Sequence, residues 1–363
     1  MGLKLGWKGI KEKIEYYRKV NVQPEQQHFY DIHLRAIQSI QGWISRHVEK
    51  AREMGLEDLA QVNEAVLENP PATLREACQW IIWYHLASRT YNRDGAGGQI
   101  DELLRPYYEN DIKAGRIDKD TAVYYLSCFL INDPIYWQLG GPDENGKDQT
   151  SEISYLILDA ADKINTSLNI TVRVHKGLLH KAVECLVRNK NGWPRFSGDQ
   201  ALVEGFAKNG FPESLARQRI AVGCNWMSLP GLEYTMNDLV KVNMAKVFEV
   251  AFKETEAFEG SEALWGRFVE HLKVAVHTAA EGIRHQLAYQ KHNEPELILN
   301  LLSHGPIEKA LDASDGGAAY YNLAIDGAGL AVAGAELINS DTARVSQSSL
   351  VGNGAQTGCL QNT

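Results

Sequence analysis

The most reactive residue types in this chain converge on one short stretch, Ile220-Ala-Val-Gly-Cys224-Asn-Trp-Met-Ser-Leu-Pro-Gly231. Ile220 to Val222 read as a short buried strand, Gly223 permits a turn or a close backbone approach, and Pro230-Gly231 is a turn signal. Cys224 therefore stands at a strand end, beside a loop. A thiol at that position has two descriptions. As a small apolar residue it fills core, which is what a free cysteine most often does. As a reactive group it needs an environment that activates the sulfur. A nucleophilic role would require a base beside the sulfur and an oxyanion site, and no histidine lies in the stretch.

Other chemistries have less footing. His175 and His180 are five residues apart with no cysteine or carboxylate pair at metal spacing nearby, and His271, His277 and His285 do not share an i, i+4 stripe, so a zinc site is not expected. Asn92-Arg-Asp-Gly-Ala-Gly-Gly98 is rich in glycine, which lets the backbone approach another group, but no Gly-Lys-Ser/Thr follows and a phosphate loop is excluded. Five cysteines without paired spacing suit a reducing cytoplasm better than a disulfide framework. The net charge of -9 and a pI near 5.7 argue against a nucleic-acid partner. No apolar run reaches the roughly 18 residues of a membrane span and no signal-peptide core is visible, so a soluble, cytoplasmic protein away from membranes is expected.

A large scaffold must position these groups, and 363 residues with 44% hydrophobic content can bury a sizeable core. Residues 1–69 read as helices, the longest from about Pro24 to Met54 with Phe29, Ile32, Leu34, Ile37, Ile40 and Ile44 on one face. Pro70-Pro71 breaks the chain, and Thr73 is a natural N-cap for a helix carrying Cys78 and the core candidates Trp80 and Trp83. Residues 92–98 read as a long flexible loop, and 118–133 and 147–164 as two further helices. Leu168–Val174 alternates apolar and polar residues as a half-buried strand does, and 178–188 returns to helical spacing. Thr235-x-x-Asp238 marks a helix start, with Val240, Met244, Val247 and Ala251 on a face behind the cysteine, and 262–290 is another long helix. Cys78, Cys128 and Cys185 fall in helical patterns, where burial is expected. Such α/β alternation, without an internal repeat, suits a barrel or a wound sheet.

Several motifs in order are more specific than any one of them. Leu168-Asn-Ile-Thr-Val-Arg-Val-His175-Lys-Gly177, Gly192-Trp-Pro-Arg-Phe196, Asp199 and then Gly223-Cys224 resemble the central part of the glycyl radical enzymes, the pyruvate formate-lyase and diol dehydratase superfamily. Upstream, Pro70-Pro71-Ala-Thr-Leu-Arg-Glu-Ala77 with Gln79, Gly98-Gln-Ile-Asp101 before Pro106-Tyr107, and Leu139-Gly-Gly141 through Gly146-Lys-Asp148 fall in the family's order. Downstream, Gly316-Gly-Ala318, Tyr321-Asn322 and Gly327-Ala-Gly329 resemble its next motif. The resemblance implies an incomplete glycyl-radical-enzyme-type α/β barrel with many outer helices, formed by residues 1–337 as a single unit, with the polar stretch 338–363 as a disordered tail. Segments 168–174 and 220–224 are then expected as neighbouring parallel strands of that barrel.

The chemistry so implied is radical chemistry. In the family a backbone glycyl radical, installed by a separate iron-sulfur activating enzyme that uses S-adenosylmethionine, takes hydrogen from the cysteine of the Gly-Cys loop. The thiyl radical then takes a hydrogen atom from the substrate. Cys224 matches the thiyl position, and Asn225, Trp226, Asn237, Asp238, Asp94 and Asp101 are the substrate-binding residues the resemblance implies, with His175 behind them as support. No cofactor is expected in the chain itself. The expected partners are a small-molecule substrate, the radical-activating enzyme and, in a full-length form, a second copy.

Departures from the family pattern narrow the reading. Pyruvate formate-lyase carries adjacent cysteines, whereas Gly223 and Asn225 flank Cys224, which argues against formate-acetyl transfer. Dehydratases and arylacetate decarboxylases carry glutamate two residues after the cysteine. Trp226 stands there, and Glu233 and Asp238 are the nearest carboxylates for proton transfer. The family's radical glycine sits in an Arg-Val-Ser/Cys-Gly-Tyr motif, and Arg344-Val-Ser-Gln347 carries glutamine at that position. The expected function is a glycyl-radical-type lyase or dehydratase that cleaves a C–C or C–heteroatom bond of a small organic substrate, truncated and inactive alone. The alternative is a non-catalytic family fragment that acts as a binding subunit.

Overall fold

The computed structural model describes residues 1–90, 96–174, 178–189, 194–223, 226–256 and 259–335. Asp94, His175, Cys224, Asn225 and the 338–363 stretch lie outside the described residues, as do the side chains of Asn237 and Asp238. The described residues divide into two compact units, 1–234 with 294–321, and 235–293 with 322–335.

The first unit opens with four helices, α1 (Gly2–Val20), α2 (Pro24–Glu53), α3 (Glu57–Ala65) and α4 (Leu74–Arg89). Proline at the first position of α2 has its φ preset for a helix, and Phe29, Ile37, Ile40 and Ile44 bury the stripe read from their spacing. Helix α4 starts after the Pro70-Pro71 break, where the Thr73 hydroxyl accepts the Glu76 N–H at 3.2 Å. Trp80 and Trp83 are both core residues. Trp80 stacks on Trp7 with ring centres 5.1 Å apart, and the Trp83 indole donates to Asn63 at 2.6 Å, which satisfies the polar edge that burial exposes to a penalty.

Strands and helices then alternate: β1 (Ala96–Gln99), α5 (Ile100–Lys113), α6 (Lys119–Asn132), β2 (Tyr136–Leu139), α7 (Glu152–Ile164), β3 (Ile170–Val174), α8 (Leu179–Asn189), β4 (Arg195–Gly198), α9 (Asp199–Lys208) and α10 (Glu213–Gln218). The four strands form one parallel sheet in the order β1-β2-β3-β4, with Trp137 opposite Ile170 and Val172 opposite Phe196. Consecutive strands joined by helical crossovers are the winding of an α/β fold. Part of the stretch read as a flexible loop is strand: Gly97 lies flat on Trp137, where a Cβ would stand 2.1 Å from the ring. Helix α7 begins at Glu152 rather than near residue 147, because residues 142–148 form a turn closed by a Pro142–Asp148 bridge.

The next two strands, β5 (Ile220–Val222) and β6 (Trp226–Ser228), pair antiparallel, with Val222 opposite Trp226. This corrects the expected parallel pairing of 168–174 with 220–224. Both edges of β3 are already taken by β2 and β4, and β5 packs instead beside β1 and β2. Strand β3 is also not half-buried: Ile170 to Arg173 are all buried, as both faces of a parallel sheet are.

Strand β7 (Glu233–Asn243) leads into the second unit, followed by α11 (Met244–Glu254) and α12 (Gly260–Asn293). Thr235 and Asp238 thus sit in a strand, not at a helix start. The helix begins at Met244 with Asn243 as its cap, accepting the Lys246 N–H at 3.0 Å, and only from there do the apolar residues fall on one face. Phe248, Ala251, Leu264, Phe268 and Ala333 form this unit's core. Helices α13 (Leu297–Leu302) and α14 (Pro306–Lys309) belong to the first unit, and β8 (Tyr320–Ala328) pairs with β7.

In α2, His33 is buried, with Nδ1 2.6 Å from the Phe29 carbonyl and Nε2 3.1 Å from the Asn300 amide of α13. Burial lowers its pKa from the ordinary 6.5 to about 4, against the upward pull of Phe29 and Asp312. A folded-state pKa below the unfolded one adds stability that is complete above pH ~6.5 and is lost as pH falls toward ~4, about 3 kcal/mol in all. His33→Gln is therefore expected to flatten the fall in unfolding free energy between pH 6.5 and 4 by about that amount, read from urea titrations. An unchanged slope would remove His33 from the acid response.

Candidate active site

The hairpin of β5 and β6 carries the Gly-Cys motif, with Cys224 and Asn225 between the strands and outside the described residues. Gly223 has φ 54°, in the left-handed region where a Cβ clashes with the backbone and glycine does not. Its carbonyl accepts Nη2 of Arg195 at 3.3 Å, and that guanidinium lies over the Tyr136 ring at 5.5 Å. The Ala221 N–H donates to Oε1 of the buried Gln138 at 2.8 Å, and Gln138 Nε2 donates to the Gly140 carbonyl at 3.1 Å.

Two buried arginines fix the chain that leads into the hairpin. Arg173 of β3, its side chain 1% exposed, donates from Nε to Asp199 at 2.8 Å and from Nη1 to the carbonyls of Arg217 and Arg219, each at 2.6 Å. Burial holds its pKa below the ordinary guanidinium value, opposed by Asp199. Room for the side chain comes from Gly141, at φ 113°, where a Cβ would stand 2.8 Å from Arg173 Cδ. Arg219 donates to the Met227 carbonyl at 3.0 Å and pairs with Glu233 at 2.9 Å, both side chains 1% exposed. Its guanidinium lies 4.1 Å from the Phe206 ring centre and 4.6 Å from that of Phe211.

Asp101, expected at the substrate, is fully buried in the first turn of α5. It accepts from Gly140 N–H at 2.9 Å and from the Ser154 hydroxyl at 2.6 Å. Burial raises its pKa above the usual carboxylate value, against these hydrogen bonds. A continuous chain of contacts runs from Asp101 through Gly140 and Gln138 to Ala221 of β5. Trp226 is half-buried at the first position of β6. Asn237 and Asp238 lie on β7 in the second unit. Glu233, one of the two nearest carboxylates, is engaged by Arg219.

Sequence reasoning passed over Gln138, Arg173 and Arg219. Their signal was a polar group inside or at the edge of an apolar run, where it must find a buried partner. Among the other cysteines, Cys78 and Cys185 are buried and burial pushes both thiols up, while Cys128 is only partly buried, contrary to expectation. Among the described residues no group of three or more His, Cys, Asp or Glu side chains could hold a metal ion, and no helix is long and apolar enough to cross a membrane.

This arrangement defines a class: a parallel α/β sheet with a short antiparallel hairpin packed beside β1 and β2, at the Gly-Cys motif of the sequence. Residues 1–338 match the pyruvate formate lyase-like family, and the chain belongs to it, among the glycyl radical enzymes. It is 24% identical over 342 residues to the trans-4-hydroxy-L-proline dehydratase of Clostridioides difficile, an alignment covering 78% of this chain and 43% of that protein. With the isethionate sulfite-lyase of Nitratidesulfovibrio vulgaris it shares 24% identity over 248 residues, 57% of this chain and 30% of the relative. The solved structure of a glycyl radical enzyme from Archaeoglobus fulgidus superposes with a TM-score of 0.84 at 22% identity, over 94% of this chain and 51% of that one. The fold is therefore an incomplete form of the α/β barrel of these enzymes, with outer helices, and the chain spans about half the length of that structure.

Removing Arg173 would take its guanidinium from Asp199 and leave the Arg217 and Arg219 carbonyls without their buried donor. Arg173→Met is expected to lower unfolding free energy by about 3 kcal/mol, measured by urea titration. A loss within experimental error of zero would show that the hairpin approach is fixed by other contacts.

Proposed function

We propose that this chain is the thiyl-bearing part of a glycyl radical lyase or dehydratase acting on a small organic molecule. The observation that carries the reading is the buried frame around Gly223-Cys224, fixed by Arg195, Gln138 and Arg219, in a chain of this family. The dehydratase and lyase names of the relatives support elimination as the reaction class.

In this reading Cys224 is a hydrogen-atom carrier. Its S–H bond breaks as the atom passes to a radical stored on a backbone glycine. The sulfur then takes a hydrogen atom from a substrate carbon, so that one C–H bond breaks as one S–H bond forms. A leaving group departs from the neighbouring carbon, and the product radical recovers the atom from sulfur. Each transfer moves one proton with one electron; the last one leaves the sulfur as a thiyl radical, which takes its hydrogen back from the glycine, so that thiol and glycyl radical are both restored. Such intermediates survive only where water is excluded, and the buried residues beneath the hairpin serve that need.

Asn225, Trp226 and Asp94 are assigned to the substrate side, with Asp101 acting through Gly140 and Gln138 rather than by contact. Glu233 is paired with Arg219, so a base, where the reaction needs one, is another group. The radical glycine is assigned outside residues 1–338, installed by an activating enzyme that uses S-adenosylmethionine and an iron-sulfur cluster. The chain is assigned no turnover alone, and a cytoplasmic, homodimeric complete enzyme.

Incubated anaerobically with such an activating enzyme and S-adenosylmethionine, the 363-residue chain is expected to show no glycyl doublet by electron paramagnetic resonance. A doublet would place the radical within it. In the radical-bearing enzyme, Cys224→Ser is expected to retain the doublet and reduce turnover to background, and retained turnover would sink the assignment of Cys224.

A further inference from the structure

We propose that Arg219 is a positioning residue for the Cys224 turn, holding the β5–β6 hairpin in one register through its pair with Glu233. This rests on the reading of Cys224 as the reacting thiol. Three elements around the turn meet at this one guanidinium. Arg219 itself immediately precedes β5, Met227 is the middle residue of β6 and the cross-strand partner of Ala221, and Glu233 opens β7. The side chain thus reaches over the hairpin that its own backbone begins, and its carbonyl is tied in turn to Arg173 at 2.6 Å.

Burying two charges carries a large desolvation cost, so a sealed ion pair is weak support for stability and is better explained by a specific geometry. That geometry is register. A three-residue strand has few ladder bonds to fix its pairing, and a slip of one residue turns every side chain to the opposite face. Such a slip would change which residues occupy the turn. The planar guanidinium resists it because its donors are aimed at once at a β6 carbonyl and a β7 carboxylate. The faces of Phe206 and Phe211, from α9 and the chain just after it, keep the cation in place.

The test is the alkylation rate of Cys224 in the native chain, followed by peptide mass spectrometry with Cys78 and Cys185 as internal references. In Arg219→Met the Cys224 rate is expected to rise about tenfold through local opening. Arg219→Lys, which keeps the charge but loses the fork, is expected between Arg219→Met and the parent, and Glu233→Gln near Arg219→Lys. The two reference cysteines are expected to keep their parent rates. Should Arg219→Met fail to fold, the Arg219→Lys and Glu233→Gln variants decide alone. A Cys224 rate unchanged in every variant overturns the proposal, and so does a parallel rise at all three cysteines, which marks general loosening. Alkylation needs no radical, so this outcome is separable from the spectroscopic test of the radical reading.

Discussion

A guanidinium sealed from water needs acceptors brought to it, and this requirement organises the first unit. Arg173 and Arg219 are both about as buried as core leucines, and their partners come from segments far apart in the chain. Asp199, the carbonyls of Arg217 and Arg219, the carbonyl of Met227 and the carboxylate of Glu233 can be supplied together only if β3, α9, β5, β6 and the start of β7 take up one arrangement. An apolar core would tolerate small sliding of these elements. Buried charge does not, because each lost contact leaves an unpaired group in a medium that solvates it poorly.

The second device is the line of hydrogen bonds from Asp101 to Ala221. Strand β5 is too short to hold itself against the parallel sheet by a backbone ladder, and Gln138 supplies the missing acceptor from its side chain. Gln138 is steadied by the Gly140 carbonyl, and Gly140 by Asp101. A residue remote from the hairpin in sequence therefore helps to place it. Asp101 thus has a structural part in the frame of the hairpin.

For the hydrogen-atom transfer proposed above, such rigidity would have a clear use. A sulfur radical reacts with whatever C–H bond it touches, so selectivity depends on where the turn holds it and on what is kept away. The frame meets the first condition with Gly223 in a conformation that other residues avoid, clamped at its carbonyl by Arg195. The parallel sheet and its covering helices meet the second from one side.

Much of this was legible in the sequence because it depends on local physics. Helical spacing located α2, the Pro-Pro break and Thr73 located α4, and the Gly-Cys motif in its family order placed Cys224 after a short strand. Local patterns failed where long-range contacts decide. The alternation of Leu168–Val174 suggested a half-solvated strand, yet Thr171 and Arg173 are buried because neighbouring strands lie on both sides and Asp199 answers the charge. Thr235 and Asp238 carried the spacing of a helix cap, yet the segment pairs as β7 with a strand some 80 residues later, a preference invisible in any short window. The pairing of β5 was likewise decided by which strand edges were already occupied. Residue types and their order thus determined that a glycine and a cysteine follow the short strand β5, where the chain turns back to β6. Only the tertiary structure decided which buried polar groups hold that turn, because partners for a buried charge are chosen in space and not along the chain.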